Sequence, residues 1–377
     1  MEDFLPIAIK LHRHLKSAHW DGKGLAGPDF GVRFNWRVGR FVKSYLSSIR
    51  WSDSYYYLQA QGYWVLANWR LFCSTGDSAY REIAVRCSEH MLDRQRPDGA
   101  WDYPNIEWRG RVATAECTWA CLGLLDSYRY SSDERFLKGA LRWHRFLLDK
   151  VGFTQIGEEL AVNYFADRET SRVPNNSAFV LRFLAELADL TGQRSFLRPA
   201  EGMVTFLRNV QKPSGEFPYS APGSEALVKS WEHFQCYQYN AFECLDLMRY
   251  LELTGDPALS SLICSCVRFL LGGLSEDGHA YYDCTNRSRQ ITYHTAALGA
   301  AFAEAARLGF LKSPDPAKRA FSYLGRMQRE EGGFPASSKE YYVIADRRSY
   351  PRAQAMILFH FLSASASLAV QRSSLAS

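Results

Sequence analysis

The chain predicts an all-α fold, an (α/α)6 toroid in which six helical hairpins close into a ring. Three observations carry this expectation. First, a short register recurs at intervals of about sixty residues, the signature of a repeat architecture: Leu58-Gln59-Ala60, Thr118-Trp119-Ala120, Asn176-Ser177-Ala178, Tyr239-Asn240-Ala241, His294-Thr295-Ala296 and Ala353-Gln354-Ala355. Second, each register opens a stretch that is apolar nearly all round a helix, as in Phe179 to Leu187, which implies burial on most sides. Third, a more amphipathic stretch follows each, as in Ala140 to Leu148, Leu197 to Val210 and Pro316 to Gln328. The first set reads as inner helices and the second as outer ones.

The elements follow in order. Residues 1–50 are expected to close the ring, with helices from about Leu5 to Lys16 and from about Phe34 to Ile49 joined by the loop Asp21-Gly22-Lys23-Gly24. The second of these is expected to pair with the last helix, from about Tyr350 to Ala369. Inner helices should begin near residues 55, 115, 175, 237, 292 and 350. Thr75-Gly76-Asp77, Thr191-Gly192 and Thr254-Gly255-Asp256-Pro257 end three of them, because glycine adopts the left-handed conformation a helix C-terminus requires. Outer helices end in a glycine turn followed by an aromatic, Pro97-Asp98-Gly99-Ala100-Trp101, Pro213-Ser214-Gly215-Glu216-Phe217, Asp277-Gly278 before Tyr281, and Gly332-Gly333-Phe334, while the second unit is worn, with only Gly152-Phe153 and Gly157. Such turns gather one set of loops on one face, where a site belongs. Strand-like alternation is confined to Phe153–Ile156 and Lys339–Ile344, so β structure is limited to short hairpins. Residues 1–377 read as one domain with a frayed tail from Gln371.

Composition excludes several functions. The net charge of +5 is spread thinly, without a dense basic run, so nucleic acid is not an expected partner. No apolar run reaches the roughly 18 residues of a membrane span, and the N-terminus lacks a signal-peptide pattern, so a cytoplasmic location is expected. Nine cysteines without framework spacing fit a reducing compartment. Cys117 and Cys121, four apart, read as small core residues. Aromatics are abundant, 10 Trp, 21 Tyr and 23 Phe, and Trp101, Tyr103, Trp108, Tyr219, Trp231, Tyr281, Tyr341 and Tyr342 fall in turn segments where rings often bind ligands.

In such a ring the starts of the inner helices surround the central cavity, and their dipoles favour an anion there. That places Glu116, Asn175, Asn176, Tyr237, Gln238, Tyr239, Asn240, Tyr293, His294, Arg352 and Gln354 around one pocket, with Tyr282 on the loop before it. The expected catalytic group is Tyr282, Tyr293 and His294. A neighbouring Arg289 or Arg352 would lower a tyrosine pKa, so that two phenols could remove and return a carbon-bound proton, with His294 as the alternative base. Asn175 and Asn176 would bind a carboxylate, and Glu116, Tyr239, Asn240, Arg352, Trp101 and Trp231 would complete the substrate site. A carboxylate pair drawn from Asp98, Asp102, Glu107, Glu116, Glu232 and Asp283 is the hydrolase alternative.

Two resemblances attach to these residues. The Gln95 to Trp101 turn and the repeat resemble terpenoid cyclase and protein prenyltransferase toroids; Cys236-Tyr237 and Tyr293-His294-Thr295 are similar to the zinc-binding steps of the prenyltransferases. Phe234 stands where that family has its acid, so no metal or cofactor is expected unless Glu232 or His233 substitutes, the alternative being zinc on Cys236 and His294. Over residues 95–300 the chain also resembles the helical domain of D-glucuronyl C5-epimerases, through the Pro97 to Trp101 turn, Val173 to Leu181, Tyr282-Asp283 and Tyr293-His294-Thr295. This resemblance implies that Tyr282 and Tyr293 are catalytic. It is similar, too, to toroid proteins of bacterial polysaccharide biosynthesis. Together they imply an enzyme acting on a uronate-containing saccharide by epimerase- or lyase-like proton abstraction. The alternatives are an isoprenoid enzyme of the prenyltransferase type, or a glycan-binding scaffold using Trp101, Trp108 and Trp231.

Overall fold

The computed structural model describes residues 4–32, 38–46, 49, 51, 53–105, 108–167, 172–222, 233–340 and 344–376. Thirteen α-helices lie among them. The six inner helices are α3 (Leu58–Thr75), α5 (Thr114–Ser131), α7 (Pro174–Thr191), α9 (Cys236–Thr254), α11 (Thr292–Arg307) and α13 (Pro351–Ala376). Each packs on the next, and α13 packs on α3, so the ring is closed. The outer helices α4 (Ser78–Asp93), α6 (Glu134–Phe146), α8 (Ala200–Val210), α10 (Ser260–Leu271) and α12 (Asp315–Met327) each lie against the inner helix before them. The fold is thus the expected α/α toroid, and none of the described helices is long and apolar enough to cross a membrane.

The closure differs from expectation in one respect. The sixth outer helix is α1 (Leu5–Ala18), which packs on α13. The segment expected to do so contributes only α2 (Gly39–Tyr45) among its described residues. Amphipathic α1 buries Ala8, Leu11 and Leu15, whereas α2 leaves Val42 and Tyr45 exposed and turns Arg40 and Lys43 inward to acids. A helix with its charges inward cannot serve as an outer wall against an apolar inner helix.

The alanine that ends each register, Ala60, Ala120, Ala178, Ala241, Ala296 and Ala355, is buried in every repeat. A second recurrent feature lies one turn into each inner helix, where a polar side chain holds the backbone of the segment returning from the preceding outer helix. Gln61 bonds both N and O of Leu25, Asn240 both of Phe217, and Gln354 both of Phe334. Ser177 accepts from Val162 N, Thr295 accepts from Ala280 N, and Cys117 Sγ sits 3.8 Å from Trp101 O. These contacts fix the height at which every loop enters the mouth.

The glycine turns are fixed from the other side. Gly99, Gly215, Gly278 and Gly332 have φ of +95°, +92°, +100° and +97°. A Cβ on any of them would lie 2.1–2.5 Å from a carbonyl oxygen of the next outer helix, at Arg142, Ser265, Arg319 and Lys10 respectively. Glycine is required there by backbone conformation and by space. Gln95, Gln211 and Gln328 reinforce three of these turns by donating to the glycine carbonyl and to a carbonyl of the same neighbouring helix.

Two small sheets flank the mouth. β1 (Phe153–Ile156) pairs antiparallel with β2 (Glu159–Val162), and β3 (Gln290–Ile291) with β4 (Ser337–Lys339). At the opposite end of the bore, ion pairs join successive inner helices: Arg129 of α5 to Glu186 of α7, Arg249 of α9 to Glu186, and Arg307 of α11 to Glu252 of α9. Burial raises the Glu186 pKa, but the hydrogen bonds and charges of Arg249 and Arg129 outweigh it and hold the carboxyl down at about 2.

Candidate active site

The first turns of all six inner helices line one cavity of about 530 Å³. Gln59, Ala115, Asn175, Gln238, Tyr293 and Arg352 contribute, one from each helix. The N-caps Tyr57, Ala113, Val173, Gln235 and Ile291 make no side-chain capping bond, whereas outer-helix caps Asp77 and Asp133 do. First-turn amide donors therefore face the cavity, where an anionic group is stabilised. Several are already taken: Gln59 N donates to Glu116 Oε2 at 2.9 Å, Thr114 N to Tyr164 O and Thr292 N to Ala336 O, each at 3.0 Å.

The expected catalytic trio comes together. His294 lies between two tyrosines, stacked on Tyr282 at 5.6 Å between ring centroids and edge-on to Tyr293 at 4.6 Å. It is 1% exposed, and neither ring nitrogen has a hydrogen-bond partner among the described residues. Burial, helped by Arg289, pushes its pKa far below the ordinary histidine value, so the ring is a neutral imidazole. Tyr293 stacks on Phe30 at 5.5 Å, and the Tyr282 hydroxyl accepts from Gln235 Nε2 at 2.9 Å.

The tyrosines are not phenolates, contrary to the sequence reading. Arg289 does lie over the Tyr282 ring at 3.9 Å, yet burial outweighs it and raises the phenol's pKa. Burial likewise raises Tyr293, against the opposing pull of Arg352. Both phenols therefore hold their protons, while the His294 imidazole is unprotonated.

Charge around the cavity is arranged in two walls. Arg40 and Arg289 both donate to Glu340 Oε1, at 2.7 and 2.6 Å, so two cations share one carboxylate. Across from them Arg352 pairs with Asp29 at 2.8 Å and lies 3.7 Å from Glu116. Burial raises the Glu116 pKa to about 7 in spite of Arg352. Tyr103, Trp108, Tyr164, Phe234 and Tyr239 supply flat aromatic surface, with Trp108 held by stacking on Phe165 at 5.0 Å.

Among the other expected substrate residues, Asn175, Tyr239 and Arg352 line the cavity. Asn176 is buried with its amide unpaired among the described residues, and Glu116 lies beneath Arg352. Asn240 is corrected to a structural role, because its amide is committed to Phe217 and Cys236 O. Trp101 is corrected too: it is 2% exposed and donates to Met91 O within the core. Trp231 lies outside the described residues, as do Glu107, Glu232, Tyr341 and Tyr342. Of the carboxylates named for hydrolysis, Asp98 and Asp102 pair with Arg96 at the surface and Asp283 accepts from the Thr285 and Asn286 amides. The sequence reading missed Gln235, Glu340, Arg40 and Asp29: Gln235 is the N-cap of α9, Arg40 lies on the short α2, and Glu340 and Asp29 lie in loops. The zinc pair Cys236 and His294 is not assembled: Cys236 Sγ lies 3.2 Å from Cys284 Sγ, and neither His294 nitrogen has a hydrogen-bond partner among the described residues.

No protein-family model matches the chain, and no curated protein matches it. Solved structures do match. A cellobiose 2-epimerase from Bacillus thermoamylovorans is similar with a TM-score of 0.71 and 14% identity, over 95% of this chain and 98% of that one. A possible member of the GH105 family from Salmonella enterica is similar at a TM-score of 0.70 and 14% identity, over 96% and 93%. A polysaccharide lyase is similar at 0.66 and 11%, over 98% and 99%. At such identities the likeness establishes the fold: this chain is an α/α toroid of the kind these carbohydrate-active proteins share.

Proposed function

We propose that the protein is a carbohydrate-modifying enzyme that acts on an acidic, uronate-containing saccharide by removing the proton α to the carboxylate, as an epimerase or lyase does. The observation that carries this reading is His294, a neutral imidazole with both nitrogens unpaired among the described residues, set between two protonated tyrosines in a cavity lined by amides and arginines. A buried polar ring without a partner is costly unless a ligand completes it. His294 takes the proton, the developing enolate charge is stabilised by Arg289 or Arg352 and the first-turn amides, and Tyr293 or Tyr282 returns a proton from its phenol. Asn175, Gln238 and Tyr239 hold sugar hydroxyls, and the aromatic wall receives the ring's apolar face. The polar lining favours a saccharide over an isoprenoid. A hydrolytic carboxylate pair is disfavoured, because the lining acids Glu340 and Asp346 are already held by Arg40, Arg289, Ser337 and Tyr350. The neighbours that are described as epimerase and lyase agree with this chemistry.

The test is deuterium incorporation at C5 when a panel of uronic-acid oligosaccharides is incubated with the protein in heavy water. His294→Phe should bind saccharide normally and lose exchange, and Tyr293→Phe should slow it, since a group removed from a proton-transfer step costs rate and spares affinity. Absence of exchange across the panel overturns the proposal. Saccharide binding that is unaffected by Tyr282→Phe and Tyr293→Phe, with no product formed, would mark a binding protein.

A further inference from the structure

Beside the cavity, on the far side of Tyr282, four metal-ligand side chains converge from three separate segments. Glu216 comes from the glycine turn after α8, His233 and Cys236 from the approach to α9, and Cys284 from the loop after Tyr282. The ligand atoms of Glu216, His233 and Cys284 lie within 4.8 Å of one another. His233 Nδ1 is 2.9 Å from Glu216 Oε1, and Cys236 Sγ is 3.2 Å from Cys284 Sγ. In tetrahedral zinc sites, Zn–S and Zn–N or Zn–O lengths of about 2.0–2.3 Å place ligand atoms about 3.3–3.8 Å apart. The 2.9 and 3.2 Å separations lie a few tenths of an ångström below that range, and the other distances within the trio are at most 4.8 Å.

We propose that Glu216, His233 and Cys284 bind one zinc ion, and that Cys236, whose Sγ neighbours Cys284 but lies outside that mutually close trio, closes onto the ion as the fourth ligand. The donor set is two thiolates, an imidazole and a carboxylate, which is the borderline-soft combination zinc prefers over calcium or magnesium. Glu216 is 2% exposed, and Lys212 holds its second oxygen, Oε2, at 3.2 Å, the kind of outer contact that orients a ligating carboxylate. The ligands alternate with the candidate active site along the chain. Gln235 stands between His233 and Cys236, in a left-handed conformation at φ +48°, and donates to the Tyr282 hydroxyl; Tyr282 itself lies two residues before Cys284. Zinc at this place clamps the Tyr282 loop to the mouth of α9 and holds the Gln235–Tyr282 bond in register. The site is distinct from the pair suggested by sequence, because His294 takes no part, and it does not depend on which substrate the cavity accepts.

The experiment uses the full chain, expressed with zinc supplied, purified under reducing conditions and examined by elemental analysis and by cobalt replacement. One equivalent of zinc per chain is expected, with a thiolate-to-cobalt charge-transfer band in the cobalt form. Cys284→Ser should lose the metal and the band, and His233→Gln and Glu216→Gln should each weaken retention against a chelator by 10-fold or more. Cys73→Ser, an exposed cysteine elsewhere, should leave both intact. His233→Gln keeps the test valid if the cysteine variant fails to fold, since its side chain is partly exposed and its far-ultraviolet circular dichroism should match the parent. Substoichiometric metal in the parent, or full retention in His233→Gln and Cys284→Ser, overturns the proposal. So does a non-reduced thiol count of seven out of nine with Cys236 and Cys284 joined, which would mark a disulfide in its place.

Discussion

Replacing His294 by phenylalanine separates a ligand-facing base from an ordinary core histidine. The imidazole is 1% exposed and both its nitrogens are unpaired among the described residues, and an unsatisfied buried polar group costs about 1–3 kcal/mol. Phenylalanine removes those two nitrogens and keeps a flat ring against Tyr282 and Tyr293, where stacking contributes about 0.5–1.5 kcal/mol per pair. Its slightly larger ring has the adjoining cavity to enter. The folded state should therefore gain about 1–2 kcal/mol. With an unfolding entropy of about 2.1 cal/mol/K per residue over 377 residues, that gain raises Tm by about 1–3 °C. Exchange at the α carbon should fall by about 10²–10⁴-fold in the same variant, the usual contribution of a positioned base. Thermal melting by circular dichroism reads the first effect and heavy-water exchange the second. A Tm several degrees lower refutes the reasoning, because it shows that the ring holds the fold together. Retained exchange refutes the base assignment alone.

Gly215→Ala should cost about 3 kcal/mol or more in urea denaturation, since φ is +92° and the new Cβ would meet Ser265 O at 2.1 Å; Gly192→Ala, at φ +70° with open space, should cost only about 1–2 kcal/mol. Equal costs would show that the turn's close approach to α10 is not what requires glycine. Acid should weaken the fold through His12, whose pKa burial lowers to about 4 although Asn68 accepts its Nε2–H at 2.9 Å. The unfolded chain takes up the proton first, so stability present above pH 6.5 is lost as pH falls toward 4, by about 3 kcal/mol from this ring. The difference in Tm between the parent and His12→Gln should change over that window, and a constant difference would refute it. Glu116 works in the opposite direction, gaining as pH falls from about 7.

The sequence by itself determined the ring. Alternation of all-round apolar and amphipathic helices about sixty residues apart can bury its apolar surface only by closing on itself, and all six inner helices start within about three residues of where the register puts them. It also determined that Tyr293 and His294 share a helix mouth, since they are adjacent on the first turn of α11. What it left open were choices between partners far apart in the chain. Asn240 and Asn175 read alike, yet Asn240 is turned one step further round its helix to hold Phe217, while Asn175 faces the cavity. Trp101 follows a loop glycine and reads as exposed, but the turn at Gly99 packs against α6 and folds the indole into the core. Arg40 from α2, and Asp29 and Glu340 from two loops, meet the site from outside the repeat. The tyrosines' protonation was likewise decided in three dimensions: a nearby arginine is legible in sequence, but the burial that outweighs it is a property of the closed ring, where low dielectric penalises the phenolate more than one cation can offset.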